Sequence, residues 1–339
     1  MGKMKTLILL LCSISIGYAD IKCTDLQQKQ ATAPLTTGKV YTLTCDLNLN
    51  SPVNKHLLIQ QSNININCNN NSIQEVTIRT KTFDNPPMNI NILNCIFSGQ
   101  LRISGHSRNG EDINNVNYSK NLNHTQFSQS VAPSNIIISN SSFNAIDTIQ
   151  IYLSPGVNNV TVKNSIIKGT SDGPAIYLDA ESSNNRIVNN RILTDTLDRE
   201  LVSIDGSANN VISNNYFSSL NNGGIFIYRN CGLAGAVRHQ TPSNNQITNN
   251  VFFYNYCTEL SCPPSIWVSS RNEGITHTRS YCNSDLGIFK TGITSSTNDN
   301  DNSQNNTITG NKIIKLNPKL MIRNTEFNYD NIIKDNSTM

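Results

Sequence analysis

Six residues in the middle of the chain could act on an acidic sugar: Asp179, Asp205, Tyr228, Arg229, Arg238 and His239. Removal of a proton beside a sugar carboxylate needs a base, and Tyr228 or His239 could serve. The same reaction needs a cation to neutralise the carboxylate. Arg229, Arg238 and Arg271 are candidates, because a guanidinium can donate two parallel hydrogen bonds to it. One interpretation of this set is therefore cleavage or epimerisation of an acidic polysaccharide by a lyase-like mechanism.

The two aspartates also allow two other interpretations. Asp179 and Asp205 could supply the pair of carboxylates that hydrolyses a glycosidic bond. Both are followed by turn-forming residues, Glu181-Ser182 and Gly206-Ser207, so they could equally end strands without any chemistry. A protein without catalytic activity, such as a glycan-binding protein or adhesin, therefore stays a full alternative.

Four further residues could hold a sugar chain: Tyr177, Phe226, Trp267 and Arg271. Aromatic rings suit the apolar faces of sugars, and arginine suits their carboxylates. Tyrosine and phenylalanine also favour strands for ordinary packing reasons, so their presence alone does not establish a site.

Short runs of alternating apolar residues carry these side chains. They are Ile149–Leu153, Ala175–Asp179, Leu201–Asp205, Ile225–Arg229 and Ile266–Arg271. If the aliphatic residues point inward, their neighbours form outward columns about 4.8 Å apart. One column would contain Gln150, Tyr177, Ser203, Phe226 and Trp267, and the next would contain Tyr152, Asp179, Asp205, Tyr228 and Ser269.

A repeating unit, Asn-Asn-x-Ile-x-x-Asn-x-(Ile/Phe), positions these runs. Its clearest copies begin at Asn184, Asn209, Asn244 and Asn305, and looser copies begin at Asn158, Ser134, Met88 and Ser62. A period near 25 residues with alternating apolar positions is typical of a β-solenoid. Because such coils bury their apolar faces only by stacking, we expect Ile187, Ile212 and Ile247 to stack. Asn189, Asn214 and Asn249 should form a column, tolerating left-handed turns and bonding to one another.

These units resemble the repeats of secreted parallel β-helix proteins such as pectate lyases, polygalacturonases, alginate epimerases and lyases, and phage tailspikes. The resemblance covers roughly residues 60–315. It implies an all-β fold, a right-handed single-stranded parallel β-helix, and an acidic polysaccharide or other glycan as partner. The subfamily motifs are not met: the chain has no Asp-Asp pair, no Gly-His-Gly and no Asp-Pro-His-Asp.

The repeat predicts the organisation of the chain. Residues 1–19 read as a signal peptide with a basic start, a short apolar core and Gly17-Tyr18-Ala19 at the cleavage site. Residues 20–60 are expected to form an N-terminal cap, 61–314 the β-helix, and 315–339 a C-terminal cap or tail. Loops inserted at 99–133, 218–243 and 253–304 interrupt the coils. Such loops commonly line a binding face, and the alternative is that they are tolerated surface decoration.

Composition and cysteine usage indicate a secreted or periplasmic protein. Cleavage after Ala19 would lower the net charge from +3 by two lysines to +1, which argues against nucleic acid as a partner. No later segment is apolar enough to span a membrane. Eight cysteines would remain, an even number that suggests disulfides.

Asp179 and Asp205 could offer oxygen ligands to Ca²⁺, but nothing in the sequence requires a cofactor or a metal.

Two cysteine groups predict two sets of disulfides. Within residues 231–282 the first choice is Cys231–Cys257 with Cys262–Cys282, although three connectivities are possible. Cys68 and Cys95 are 27 residues apart, about one coil, so they could join neighbouring coils.

Overall fold

Short parallel strands recur in the same order along the chain. The computed structural model describes residues 18–21, 35, 37–38, 40–43, 46, 56–107, 110, 116–230, 236–255, 257–269, 295–296, 303–326 and 330–339. Within them the strands are β1 (Tyr18–Ile21), β2 (Val40–Leu43), β3 (His56–Ile59), β4 (Ile64–Asn67), β5 (Ser72–Ile73), β6 (Glu75–Thr80), β7 (Met88–Leu93), β8 (Ile96–Phe97), β9 (Leu101–His106), β10 (Ser134–Ser139), β11 (Ser142–Ala145), β12 (Ile151–Leu153), β13 (Asn158–Lys163), β14 (Ile166–Ser171), β15 (Ile176–Leu178), β16 (Arg186–Val188), β17 (Arg191–Ile192), β18 (Asp195–Thr196), β19 (Val202–Asp205), β20 (Val211–Ser213), β21 (Tyr216–Phe217), β22 (Ile225–Tyr228), β23 (Val237–Arg238), β24 (Gln246–Thr248), β25 (Val251–Phe253), β26 (Ile266–Val268), β27 (Ser295–Ser296), β28 (Thr307–Thr309), β29 (Lys312–Ile314), β30 (Ile322–Asn324), β31 (Ile332–Lys334) and β32 (Ser337–Thr338). Three short helices are α1 (Val116–Ser119), α2 (His124–Val131) and α3 (Pro318–Met321).

Three long parallel sheets form the solenoid. The A sheet runs β1-β2-β4-β7-β10-β13-β16-β20-β24-β28-β31, and the C sheet runs β3-β6-β9-β12-β15-β19-β22-β26-β30. The B sheet runs β5-β8-β11-β14-β17-β21-β25-β29-β32, with β18 paired to β14 at its side. Because a complete coil contributes one strand to each sheet in the order A, B, C, the expected right-handed parallel β-helix is confirmed.

The core consists of stacked aliphatic columns. Ile187 pairs in register with Ile212, and Ile212 with Ile247. All three are fully buried, as predicted. Strands this short gain little from one pairing alone, so burial between the coils above and below stabilises each of them.

Neighbouring asparagines of the repeat have different roles: one forms the turn of the backbone, and the next carries the hydrogen bonds between coils. Asn189, Asn214 and Asn249 form the predicted column, and each has a left-handed backbone with φ near 57°. They do not carry the ladder of side-chain hydrogen bonds, which belongs to the next residue, as in Asn190 and Asn215. An exposed asparagine turns the chain, and a buried one bonds to the following coil.

Two asparagine ladders, buried except at their last members, flank the A strands. In each ladder the backbone N–H and the side-chain amide of one asparagine donate to the side-chain oxygen of the next, at 2.8–3.2 Å. For Asn185 only the backbone donation to Asn210 is present. The ladders are Asn185–Asn210–Asn245–Asn306–Asn331 and Asn190–Asn215–Asn250–Asn311–Asn336. They fix the register of successive coils, because an unpaired amide here would be costly.

The coils extend beyond the boundaries expected from the sequence. β31 and β32 continue the A and B sheets past Ile314, where the sequence analysis ended the solenoid. β2 and β3 already join the sheets inside the expected N-terminal cap. At the C-terminal end the strand pairing continues although the alternation of buried and exposed residues is lost, since all three residues of β31 are exposed.

The predicted loop at 99–133 begins with a true coil strand, β9, which pairs with β6 and β12. The insertion therefore starts after His106 and contains α1 and α2. The segments at 218–243 and 253–304 contain the coil strands β22 and β26, in the two runs where the alternation of apolar residues predicts strands.

The segment that the sequence predicts to be a signal peptide is described only at its end. β1 spans the predicted cleavage site after Ala19, and residues 1–17 lie outside the described ranges. In the part of the chain that the structure describes, no helix is long and apolar enough to cross a bilayer.

Two disulfides lie within the described residues. Cys68–Cys95 joins neighbouring coils, as the spacing suggested, with a Cα–Cα distance of 4.8 Å. The predicted pairing of Cys257 with Cys231, and of Cys262 with Cys282, is wrong, because Cys257 pairs with Cys262, five positions further along the chain. Cys231 and Cys282 lie outside the described ranges.

Candidate functional site

The outward row is the column of side chains on the solvent side of the C sheet. Strand pairing aligns Arg102, Tyr152, Tyr177, Ser203, Phe226, Trp267 and Arg323. The predicted column is correct from Tyr177 to Trp267, but Gln150 does not belong to it. Gln150 is buried at the preceding corner, where its side chain bonds to the backbone of Ala145, Thr148 and Thr170.

The second predicted column lies at the carboxyl ends of the same strands. Asp205 pairs with Tyr228, and the N–H of Ser269 donates to the carbonyl of Ile227, next to Tyr228. Asp179 lies one coil from Asp205, as predicted. Tyr152 is again two positions away from its predicted place, since it pairs with Tyr177.

Arg238 forms a buried ionic cluster with Asp179 and Asp205. Its Nη1 is 3.2 Å from Oδ1 of Asp179 and 3.4 Å from Oδ1 of Asp205. The side chain of Asp205 is wholly buried, and those of Asp179 and Arg238 are only 8% and 9% exposed. The structure thus brings these three predicted residues together, but it encloses them.

Other groups occupy the remaining carboxylate oxygens. The Tyr152 hydroxyl donates to Oδ2 of Asp179 at 2.6 Å, and the Tyr177 hydroxyl donates to Oδ2 of Asp205 at 2.5 Å. The backbone N–H of Asn230 donates to Oδ1 of Asp205 at 2.6 Å. The aspartates therefore serve as acceptors for strand and loop, with little capacity left for a ligand.

The cluster sets the protonation of its members. Burial raises the pKa of Asp179 and the charge of Asp205 raises it further, while Arg238 opposes both. Burial alone would lower the pKa of Arg238, but Asp205 and Asp179 outweigh it, and the net pKa is raised. Arg238 therefore stays charged, as a cation between two carboxylates should.

Tyr228 is not prepared to act as a base. Its hydroxyl donates to Oε1 of Glu200 at 2.8 Å and accepts a hydrogen bond from Arg199. Burial raises the pKa of Tyr228 well above its ordinary value, and the carboxylates of Glu200 and Asp205 raise it further. A tyrosine base needs the opposite shift, because it must lose its proton near neutral pH.

Arg229 and His239 hold the loop that covers the aspartates. Arg229 is fully buried, and its Nη1 donates to the carbonyl of His239 at 3.3 Å. The N–H of His239 donates to Oε1 of Glu181 at 2.7 Å, and its Nε2 lies 2.6 Å from the carbonyl oxygen of Ser119. Both side chains face the protein's own segments rather than an open groove.

The helical insertion after β9 completes the cover. From α2, Thr125 donates to Oε2 of Glu181 and Gln129 donates to its carbonyl at 2.9 Å. Gln129 also bonds to the side chain of Gln240. Glu181, which was not among the predicted site residues, thus joins α2 to the loop after β23.

The side chains that remain partly exposed are rings and arginines. Tyr177, Phe226 and Trp267 are half-buried, and the rings of Phe226 and Trp267 meet edge to face at 5.3 Å. Arg102 lies over the ring of Tyr152 at 5.0 Å. Arg323 is exposed. Arg271, the remaining predicted binding residue, lies outside the described ranges.

Sequence reasoning missed three arginines of this face. Arg102 and Arg323 lie in the outward row, and Arg199 donates a hydrogen bond to Tyr228, in the neighbouring column, from the turn before β19. Arg102 was assigned to a loop and Arg323 to the tail. The alternation Leu101-Arg102-Ile103 matches Ile176-Tyr177-Leu178 and could have identified the first of them.

Metal ligands are not clustered in this region. Among the described residues, no group of three or more histidine, cysteine, aspartate or glutamate side chains is placed to hold a metal ion. The Oδ1 atoms of Asp179 and Asp205 both contact Nη1 of Arg238.

Comparison with known proteins gives structural similarity at low identity. No protein-family model and no curated protein matches the sequence. The alginate lyase from Paenibacillus sp. str. FPU-7 is 12% identical with a TM-score of 0.40, over 94% of each chain. A periplasmic alginate epimerase double mutant is 13% identical with a TM-score of 0.36, over 96% of this chain and 84% of that one. The ORF18 protein of Geobacillus virus E2 is 13% identical with a TM-score of 0.39, over 84% of this chain. The match spans only 49% of the viral protein's own length.

Proposed function

We propose that this protein binds acidic polysaccharides along the outward row of its C sheet and does not cleave them. The observation that carries this proposal is that the arginines of the row are at least partly exposed to solvent, whereas the nearby carboxylates are buried. The partly exposed members of the row are rings and arginines, whereas Asp179, Asp205 and Glu200 are buried and paired. Rings can stack on sugar faces and guanidinium groups can bind uronate carboxylates, and no exposed acid of the row would repel them.

Cleavage is the less favoured function, because its predicted residues are engaged elsewhere. Arg238 neutralises two aspartates, Arg229 and His239 anchor a loop, and the pKa of Tyr228 is raised. The signal-like N-terminus and the disulfides support a secreted or periplasmic location, where such polymers occur.

Binding can be tested with alginate and polygalacturonate as ligands and dextran as the neutral control. Trp267→Ala should weaken binding of the acidic polymers at least tenfold, about 1.4 kcal/mol. Arg102→Gln should reduce both affinity and its dependence on salt. Arg186→Gln, which changes an exposed arginine on the A sheet, should bind as the wild type does.

Two outcomes would contradict the proposal. Equal binding of dextran and alginate, or an unchanged affinity in Trp267→Ala with an intact thermal transition, would remove the outward row as the site. Release of unsaturated uronates, detected by their ultraviolet absorbance, or of new reducing ends would show that the protein is an enzyme. In that case Tyr228→Phe should be the first variant examined.

A further inference from the structure

A cavity opens at the corner where the chain passes from the B sheet to the C sheet. Its volume is about 480 Å³, which is within the usual range for small-molecule sites. Three successive coils contribute to its lining, which consists of Asp195, Ser219, Leu220, Asn221, Tyr254, Asn255, Cys257, Ser261 and Pro263. None of these residues takes part in the ionic cluster or in the outward row.

The walls of this corner pocket are fixed by cross-links. The Cys257–Cys262 disulfide closes the segment on one side. The Tyr254 hydroxyl donates to the carbonyl of Pro263 at 2.8 Å and lies 2.9 Å from the Ser265 hydroxyl. On the other side, the Asn221 amide donates to Oδ1 of Asp195 at 2.8 Å. The pocket is therefore preformed, which lowers the entropic cost of binding.

The lining has the two kinds of surface that a sugar ring needs. Leu220, Tyr254, Pro263 and the disulfide provide an apolar side for the C–H groups. Asp195 provides a carboxylate whose Oδ2 has no hydrogen-bond partner among the described residues, and the exposed Asn255 provides an amide. Carboxylate and amide groups suit sugar hydroxyls as acceptor and donor.

The charge of Asp195 selects among sugars. A uronate carboxylate placed beside Asp195 would meet a like charge without an arginine in the lining to compensate it. The pocket thus differs from the outward row, whose exposed charges are positive. We propose that the corner pocket is a second, separate site that binds one uncharged sugar unit. This inference does not depend on the binding of acidic polymers by the row.

Saturation-transfer NMR and calorimetry with single methyl glycosides can test this site. The probes are the methyl glycosides of glucose, galactose, mannose and N-acetylglucosamine, with methyl glucuronide as the charged comparison. At least one neutral glycoside should bind saturably. Asp195→Ala should weaken that binding tenfold or more. Asp198→Ala, which removes an exposed carboxylate three residues away and outside the lining, should not.

The outcomes separate this site from the outward row. Arg102→Gln should weaken the binding of acidic polymers and leave glycoside binding unchanged. Asp195→Ala should weaken glycoside binding and leave the binding of acidic polymers unchanged. The pocket proposal is overturned if no neutral glycoside binds, if Asp195→Ala binds as tightly as the wild type, or if methyl glucuronide binds equally well.

Discussion

At the scale of single residues, the charge balance of the C sheet depends on Arg238. This side chain comes from β23, in the segment inserted between β22 and β24, yet its Nη1 lies within 3.4 Å of two carboxylates that belong to successive coils. Without it, Asp179 and Asp205 would be neighbouring buried anions. A buried ion pair gives little net stability when intact, but loss of one partner is costly.

We therefore predict that Arg238→Met lowers the free energy of unfolding by about 3–5 kcal/mol near neutral pH. The loss should shrink as the pH falls, because the abandoned carboxylates can then take up protons. Adding Asp179→Asn should restore part of the stability, and Arg186→Met, at an exposed site, should change little. Denaturant titrations at two pH values measure this, and an unchanged stability in Arg238→Met would contradict the role assigned to it.

His124 makes a second residue-scale prediction, on pH. Burial lowers the pKa of this imidazole, the charge of Glu181 partly opposes that shift, and His239, whose ring lies 5.4 Å away, adds to it. The folded state therefore favours the neutral ring. Its contribution to stability is complete above the unfolded pKa of about 6.5 and is lost as the pH falls through the lower folded value.

Unfolding midpoints measured between about pH 7.5 and about pH 5 should fall more steeply for the wild type than for His124→Gln. The raised pKa of Asp179 acts in the opposite direction, so the difference between the two proteins is the relevant quantity. Parallel pH profiles would exclude a titrating His124.

At the scale of elements, the asparagine ladders and the covering loops behave differently. The A-sheet coils from β16 to β28 follow from the local sequence pattern, since an exposed asparagine with a left-handed backbone and then a buried asparagine precede each of their A strands. The cover over the aspartates does not, because it is held by polar contacts between residues 52 to 120 positions apart. Gln129 of α2 contacts Glu181 and Gln240, and His239 contacts Ser119 of α1.

The ladder predicts unequal effects for neighbouring asparagines. Asn215→Ala removes an oxygen that accepts from the N–H and amide of Asn190, and it also removes donations to Ile187 and Asn250. It should cost at least about 1–3 kcal/mol for each buried group left unpaired. Asn214→Gly, one residue earlier, should stay near wild type because glycine adopts the same left-handed turn. Equal effects in chemical denaturation would contradict this division of tasks.

The coils could be predicted from the sequence because they follow a local pattern, whereas the segments that cover the aspartates could not because they depend on distant contacts. Alternation and the Asn-Asn repeat were enough to predict the register of Ile187, Ile212 and Ile247 and the column from Tyr177 to Trp267. They could not show that Arg238 turns inward, because loop direction depends on distant partners such as Glu181 and Ser119. Residues that looked reactive in the sequence therefore proved to be enclosed.

At the scale of the whole molecule, stability is shared between neighbouring coils. Ile212 and Ile333 occupy the same inward column of the A sheet, linked through Ile247 and Ile308. Ile212 is fully buried between two coils, whereas Ile333, in the last described coil, is 36% exposed. The same substitution should therefore have very different consequences at the two positions.

Ile212→Asp should be severely destabilising, because it places an unpaired charge in a one-dimensional core. Ile333→Asp should fold and lose far less stability, since its carboxylate can reach water. Thermal melting followed by circular dichroism distinguishes them. Similar melting temperatures for the two variants would show that the column does not act as the common core.

The ladders have a consequence for how such a protein can change over generations. Successive members of the first ladder are separated by 25, 35, 61 and 25 residues, yet at every step the backbone N–H of one donates to the side-chain oxygen of the next. A genetic duplication of one complete coil would carry its own asparagines and fit both neighbours without altering them. New segments can enter between ladder positions equally freely, as the one bearing Arg238 has done. The chain can thus lengthen, or acquire new surface loops, by recombination in frame while its core stays the same.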